Sequence, residues 1–121
     1  MSECEQGISP NMNILFLCTS NIQRSRTAEN LFKALDKKNT YKSAGLSAKY
    51  CEKYGTTLCT IEMLEGADKI FVMEKMHLER IKEYAGEKYL ANVLVLDIED
   101  KYQYMQTELV ELLKSKLAGL I

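Results

Sequence analysis

Apolar residues along the chain alternate between short runs and helical spacing, and this alternation predicts the secondary structure. Residues 13–17 form a short apolar run typical of a buried strand, whereas residues 25–35 carry apolar side chains three and four positions apart, as on one helix face. The same alternation continues, with strands predicted at 40–44, 69–73 and 91–96 and helices within 50–66, at 74–84 and at 107–117. Four strand–helix repeats predict an α/β fold in which a parallel sheet with right-handed crossovers carries helices on both faces.

Polar residues follow each of the predicted strands. In parallel sheets, ligands bind at the carboxyl ends of the strands. The segments that meet at this edge are 18–25, 43–45, Glu74 and 97–100. The topology alone therefore places a candidate site there.

Residues 18–25, Cys-Thr-Ser-Asn-Ile-Gln-Arg-Ser, connect the first predicted strand to the first predicted helix. A helix N-terminus offers unpaired amides and the positive end of the helix dipole, and both favour an oxyanion. Cys18 in that field is expected to be deprotonated near neutral pH, because amides and a guanidinium stabilise a thiolate. The planar guanidinium of Arg24 can hold two oxygens of the same anion. The segment is thus predicted to bind an oxyanion beside a nucleophile.

Length and charge limit the remaining possibilities. A chain of 121 residues with 46% apolar residues is sufficient for one domain, and we expect a flexible tail at 1–11 followed by a single domain at 12–121. Sixteen basic and seventeen acidic residues nearly cancel, so composition favours neither nucleic acid nor a membrane as a partner. No apolar run reaches membrane-spanning length and no signal peptide opens the sequence, so a cytoplasmic location is expected.

The cysteines and the single histidine do not form a recognisable metal motif. Cys4, Cys18, Cys51 and Cys59 contain no Cys-x-x-Cys pair, and His77 has no partner at ligand spacing. Neither a metal nor a disulfide framework is expected. Cys51 and Cys59 are interpreted as reduced, partly buried thiols, and His77 as an exposed helix residue.

The stretch LFLCTSNIQRSRTAE, residues 15–29, resembles the low-molecular-weight protein tyrosine phosphatase family, whose signature is Cys-x5-Arg-Ser after a first strand. Shorter stretches are also similar: 43–45 to the end of the family's second strand, 67–73 to its third strand and 98–102 to its acid-containing loop. The resemblance implies a single three-layer domain with a four-stranded parallel sheet in the order 2-1-3-4.

The resemblance also implies a role for each site residue. Cys18 is the nucleophile that forms a phosphocysteine, Arg24 binds the phosphate, and Asp100 is the general acid. Ser25 supports the thiolate, and Asn21 and Ser43 belong to a supporting hydrogen-bond network. The phosphate-binding loop comprises Thr19, Ser20, Asn21, Ile22, Gln23, Arg24 and Ser25. Neither a metal nor another cofactor is implied.

The implied activity is hydrolysis of phosphate monoesters, on a protein carrying phosphotyrosine or on a small aryl phosphate, with inorganic phosphate or another oxyanion as a ligand of the loop. Three alternatives stay open. Asp97 competes with Asp100 as the acid. The same scaffold serves arsenate reductases, in which Cys51 and Cys59 would relay oxidation, and a non-catalytic module could bind phosphate or phosphopeptide. Ser20 stands where the family usually has glycine, so strain is expected there if a left-handed backbone is required.

Overall fold

The computed structural model describes residues 11–120, and the tail expected at 1–11 lies outside them except for its last residue. The strands are β1 (Asn13–Cys18), β2 (Thr40–Gly45), β3 (Lys69–Val72) and β4 (Val93–Val95). The helices are α1 (Arg24–Leu35), α2 (Ala48–Tyr54), α3 (Ile61–Gly66), α4 (Lys75–Ala85) and α5 (Thr107–Leu117), with a 3-10 turn at Leu90–Asn92. The extent of the domain at 12–121 stays a prediction.

The four strands form one parallel sheet in the order β2-β1-β3-β4, so the predicted fold and strand order are confirmed. β1 lies between β2 and β3, and the register of each pair places the ends of the two neighbouring strands beside the end of β1. Cys18 lies opposite Gly45 and Leu17 opposite Val72. Three strands therefore end at one level, which brings their following loops together.

Side chains on β1 alternate between two cores, one on each face of the sheet. Phe16 points to the core shared with α1 and α5, where Phe32 and Leu113 are buried. Leu17 points to the opposite core, which includes Leu64 of α3 and Ile81 of α4. A strand buried on both faces is typical of a sheet covered by helices on each side. This arrangement is the expected three-layer architecture.

Two regions differ from the sequence prediction in detail. The fourth strand is shorter than the predicted 91–96, since a 3-10 turn occupies Leu90–Asn92 before β4 begins. The interrupted helical region becomes two short helices. Gly55 ends α2 with a left-handed φ of 68°, and the Thr60 hydroxyl caps α3 by accepting a bond from the Met63 amide.

Between residues 11 and 120, the structure contains no helix with both the length and the apolarity needed to cross a membrane. The expected cytoplasmic location stays a prediction.

Candidate active site

Cys18 is the last residue of β1 and is buried, with only 3% of its surface exposed. The segment that follows it, residues 18–25, is called the anion loop below. It turns through Asn21, whose φ of 58° is left-handed, before α1 begins at Arg24. Asparagine adopts this conformation more readily than most residues. The condition for strain at Ser20 is not met, because the left-handed residue of the loop is Asn21.

Two donors lie against the sulfur of Cys18. The backbone amide of Asn21 donates to Sγ at 3.3 Å, and the hydroxyl of Ser25, in the first turn of α1, lies 3.0 Å from the same sulfur. The sulfur can accept a hydrogen bond from each of these two groups. The geometry suits a cysteine that acts as a nucleophile.

The side chain of Asn21 links the anion loop to β2. Its Nδ2 donates to Ser25 Oγ at 2.8 Å and to Ser43 Oγ at 2.9 Å. All three side chains are buried. The structure thus brings together Asn21, Ser25 and Ser43, the three residues to which the resemblance gives a supporting role.

Arg24 is almost completely buried, with 2% of its side chain exposed. Its Nη1 donates to Glu74 Oε1 at 2.6 Å and to the backbone oxygen of Ile98 at 2.7 Å. Nη1 carries two hydrogens, and these two acceptors use both of them. The opposite edge of the guanidinium, formed by Nε and Nη2, is the edge that can face an anion.

The candidate acids lie in the acid loop, residues 97–102, which follows β4. Asp100 Oδ1 is 3.8 Å from Arg24 Nε, and its side chain is 65% exposed. Within residues 11–120, the ion pairs of Arg24 are with Glu74 and Asp100 and do not include Asp97. Asp97 is exposed and adopts a left-handed φ of 57°. Proximity to Arg24 therefore favours Asp100 over Asp97.

The interpretation of His77 as an exposed residue is wrong, since only 1% of its surface is accessible. Its Nδ1 accepts the backbone amide of Glu74 at 3.0 Å, so the proton of the neutral ring is on Nε2. That nitrogen lies 2.9 Å from Thr19 Oγ1 and donates to it. Burial, together with the positive charge of Arg24, lowers the pKa of His77 to about 4.

Glu74 and His77 form a reciprocal cap at the start of α4. The signal was available in the sequence as Glu-x-x-His directly after a strand, but a histidine three residues into a helix also fits a solvent-facing position. The carboxylate of Glu74 additionally pairs with Arg24, a contact between residues 50 positions apart. Sequence spacing placed Glu74 at the edge of the sheet without indicating that partner.

Residues at the end of β2 and in the segment after it fix the backbone of the anion loop by hydrogen bonds and close packing. The oxygen of Thr19 accepts the amides of Leu46 and Ser47 at 3.1 and 3.0 Å, and Ser20 O accepts the Thr56 hydroxyl at 2.5 Å. A Cβ on Gly45 would come within 2.7 Å of Thr19 O, so only glycine fits there without a shift.

The remaining loop residues, Ile22 and Gln23, are half-buried and precede α1, where Gln23 O accepts the amide of Thr27 at 2.9 Å. Over the part of the chain that the structure describes, no group of three or more histidine, cysteine or acidic side chains could hold a metal ion.

Comparison with known proteins identifies a matching family model and similar solved structures. The family model described as low molecular weight phosphotyrosine protein phosphatase matches residues 13–65. The match runs from β1 through the anion loop, α1, β2 and α2, and ends one residue before the end of α3. No curated protein matches the chain.

Solved structures extend the likeness over most of the chain. Wzb of Vibrio vulnificus, in complex with benzylphosphonate, is 21% identical with a TM-score of 0.73, over 90% of this chain and 96% of that one. The tyrosine phosphatase Wzb of Escherichia coli K30, in complex with phosphate, is 23% identical with a TM-score of 0.72, over 91% and 96%. A mutant of the arginine phosphatase YwlE of Bacillus subtilis, with a phosphorylated active site serine, is 25% identical with a TM-score of 0.69, over 90% and 95%.

Proposed function

We propose that the chain is a member of the low-molecular-weight phosphotyrosine protein phosphatase family, whose model matches residues 13–65, and that it hydrolyses phosphate monoesters through a phosphocysteine on Cys18. One observation carries the proposal. The buried sulfur of Cys18 accepts a bond from the Asn21 amide in a loop that also supplies a buried Arg24. This combination provides a nucleophile beside a binding group for its electrophile.

In the first step, the Cys18 thiolate attacks phosphorus, a sulfur–phosphorus bond forms and the bond to the ester oxygen breaks. Asp100 gives its proton to the departing oxygen. In the second step, Asp100 takes a proton from water, the water oxygen bonds to phosphorus and the sulfur–phosphorus bond breaks. Inorganic phosphate leaves, and both Cys18 and Asp100 return to their starting states.

Arg24 and the loop amides neutralise the charge of the transferring group. The Nε and Nη2 edge of Arg24 holds two phosphate oxygens, while Glu74 and the Ile98 carbonyl fix the other end of the guanidinium. Phosphoryl transfer places charge on the equatorial oxygens, so fixed donors aimed at those oxygens lower the barrier.

The substrate proposed is an aryl phosphate, as in a protein carrying phosphotyrosine. Two similar structures support this class, one of a tyrosine phosphatase and one with bound benzylphosphonate. Because one similar structure is an arginine phosphatase, the test compares the turnover of a phosphotyrosine peptide with that of a phosphoarginine peptide. Faster turnover of the phosphotyrosine peptide supports the proposed class, and the reverse preference would overturn it.

The cysteines that an arsenate reductase would need are poorly suited to a redox relay. Cys51 and Cys59 are each 2% exposed, and burial raises the pKa of the Cys59 thiol to about 12. A thiol must ionise to attack, so Cys59 would be unreactive near neutral pH. These features favour hydrolysis over reduction.

The decisive experiment measures hydrolysis of p-nitrophenyl phosphate in the presence of a metal chelator. We expect Cys18→Ser to reduce turnover by more than about a thousandfold, while phosphate binding measured by calorimetry persists because Arg24 and the loop amides remain. Cys59→Ser, which removes a buried thiol in the opposite core, is the matched control and should keep the wild-type rate. Retained turnover in Cys18→Ser would overturn the proposal.

A further inference from the structure

A chain of hydrogen bonds leads from the nucleophile to a carboxylate that the sequence did not mark as part of the site. Cys18 contacts Ser25, which accepts from Asn21, which also donates to Ser43. Ser43 Oγ then donates to Oε1 of Glu29 at 2.5 Å. Glu29 lies on α1, and its side chain is 20% exposed. The chain thus runs from a buried sulfur to the edge of the protein surface.

The groups at two points of this network fix the direction of its hydrogen bonds. An ionised carboxylate only accepts, so the Ser43 hydroxyl must donate to Glu29 and can offer only its lone pairs to Asn21. The backbone amide of Thr57 only donates, and it donates to Asn21 Oδ1 at 3.4 Å. Both constraints orient the Asn21 amide with its NH₂ group toward the serines.

The orientation of Asn21 determines what reaches the sulfur. Its NH₂ group has two hydrogens, one for Ser43 and one for Ser25. Ser25 accepts one of them, so its own hydrogen is free to donate to Cys18 Sγ. A thiolate is a strong acceptor for that bond, whereas the sulfur of a neutral thiol is only a weak one.

We propose that Glu29 is a positioning residue that sets the direction of these hydrogen bonds, so that Ser25 donates to the Cys18 thiolate. Its use in catalysis rests on the function proposed above, but its effect on the sulfur does not require turnover. Glu29 acts through Ser43 and Asn21 and touches no reacting atom. Without the carboxylate, Ser43 can reverse its hydroxyl, and Asn21 loses one of the two constraints on its orientation.

The alternative role for Glu29 is an ordinary surface ion pair. Its Oε2 contacts Lys33 at 2.6 Å, one helical turn along α1. Glu65 provides a matched control, because its Oε1 accepts a tyrosine hydroxyl from Tyr89 at 2.5 Å and the ammonium of Lys88 at 2.8 Å. Glu65 lies on α3 and has no bond to the anion loop. Each of the two carboxylates accepts from a hydroxyl and a lysine, but only Glu29 is linked to the anion loop. The effect of removing Glu29 can therefore be compared with the effect of removing Glu65.

The test measures the rate at which iodoacetamide alkylates Cys18 as a function of pH, with the modified peptide quantified by mass spectrometry. We expect Glu29→Ala to move the midpoint of this profile upward by about half to one pH unit, the size of one hydrogen bond to the thiolate. Glu65→Ala should leave the midpoint unchanged. Glu29→Gln keeps an acceptor for Ser43 and should shift the midpoint less than Glu29→Ala.

A double-mutant cycle decides whether Glu29 acts through Ser43. In the Ser43→Ala background, Glu29→Ala should produce no further shift. Additive shifts, or a Glu29→Ala midpoint equal to that of Glu65→Ala, would overturn the proposal, and circular dichroism verifies that each variant is folded. If Glu29→Ala does not fold, the midpoint shift caused by Glu29→Gln is measured in the wild-type and Ser43→Ala backgrounds. The same criterion applies, because the shift should be absent in the Ser43→Ala background.

The outcome is separable from that of the proposed function. Absence of hydrolysis in the wild type would overturn the function while the midpoint shift stands. Hydrolysis with unchanged midpoints would overturn only the role of Glu29. The other charged or titratable groups described at the site, Arg24, Glu74, Asp100 and His77, are the same in every variant, so they do not cause a difference between midpoints.

Discussion

Arg24 connects the anion loop to two other segments of the chain. Its guanidinium contacts Glu74 at the start of α4 and the Ile98 carbonyl, and it lies 3.8 Å from Asp100 in the acid loop. A buried charge is tolerated only when it is paired and hydrogen-bonded, which explains why these acceptors surround it. One residue therefore holds the anion loop and the acid loop together.

Replacing Arg24 with lysine should slow hydrolysis of p-nitrophenyl phosphate by about a hundredfold or more and weaken phosphate binding. A single ammonium cannot satisfy Glu74, Ile98 and two phosphate oxygens at once. Arg26→Lys is the control, since Arg26 is exposed and lies over the ring of Tyr104. Wild-type kinetics in a folded Arg24→Lys protein would place Arg24 outside the site.

The acid should be identified by its dependence on the leaving group. We expect Asp100→Asn to slow phenyl phosphate by about a hundredfold or more and p-nitrophenyl phosphate much less, because nitrophenolate needs little protonation. Asp97→Asn should change neither rate appreciably. If the two variants exchange these effects, Asp97 is the acid and the interpretation of the acid loop is wrong by three residues.

Single residues differ in how far the sequence could reveal them. Cys18 and Arg24 could be predicted as site residues because both lie in one short segment between a strand and a helix, so their spacing carries the information. Glu29 and His77 bind partners 14 and 58 positions away. Those contacts depend on the packing of helices against the sheet, which local periodicity does not encode.

At the scale of elements, α4 begins directly against the anion loop. Glu74 and His77 form the reciprocal cap of this helix, and the other nitrogen of the His77 ring donates to Thr19, the residue after the proposed nucleophile. A helix cap therefore also positions the loop. The cap requires a neutral ring, because a protonated Nδ1 could not accept the Glu74 amide.

Stability should depend on pH through His77. Its pKa is about 4 when folded and about 6.5 when unfolded, so between these values the unfolded chain binds a proton that the folded chain does not. The free energy of unfolding should fall as pH decreases from 6.5 to 4, by up to about 3 kcal/mol from this group.

Urea unfolding of the wild type and of His77→Asn at pH 7 and pH 4.5 measures this contribution. Asparagine can accept the Glu74 amide but does not titrate, so the variant should lose less stability on acidification than the wild type. Equal losses in both proteins would show that His77 is not the group responsible.

At the scale of the whole molecule, the alternation of strands and helices was sufficient to predict the sheet. Residues 13–17 are apolar at every position after Asn13, as expected for a strand between two helical layers. The fourth strand was predicted too long because it lies at the edge of the sheet and pairs only with β3. With one partner, its apolar run can also be accommodated as a 3-10 turn.

The two cores share one sheet, so we expect the domain proposed at 12–121 to unfold as a unit. Leu113→Ala and Leu64→Ala, on opposite faces, should each reduce the free energy of unfolding by about 2–5 kcal/mol. In each variant, the urea midpoints from circular dichroism and from tyrosine fluorescence should coincide. Separate midpoints for the two probes would indicate independently unfolding parts.

The support behind the anion loop also has a thermodynamic consequence for ligand capture. Thr19 O accepts two amides, Ser20 O accepts a hydroxyl, and Gly45 leaves no space into which the loop could relax. Ordering a flexible segment costs about 1–2 kcal/mol of conformational entropy per residue. A preorganised loop avoids that entropy loss when an oxyanion binds. Its affinity therefore depends on the fit between the anion and the loop amides, and not on the cost of ordering the loop.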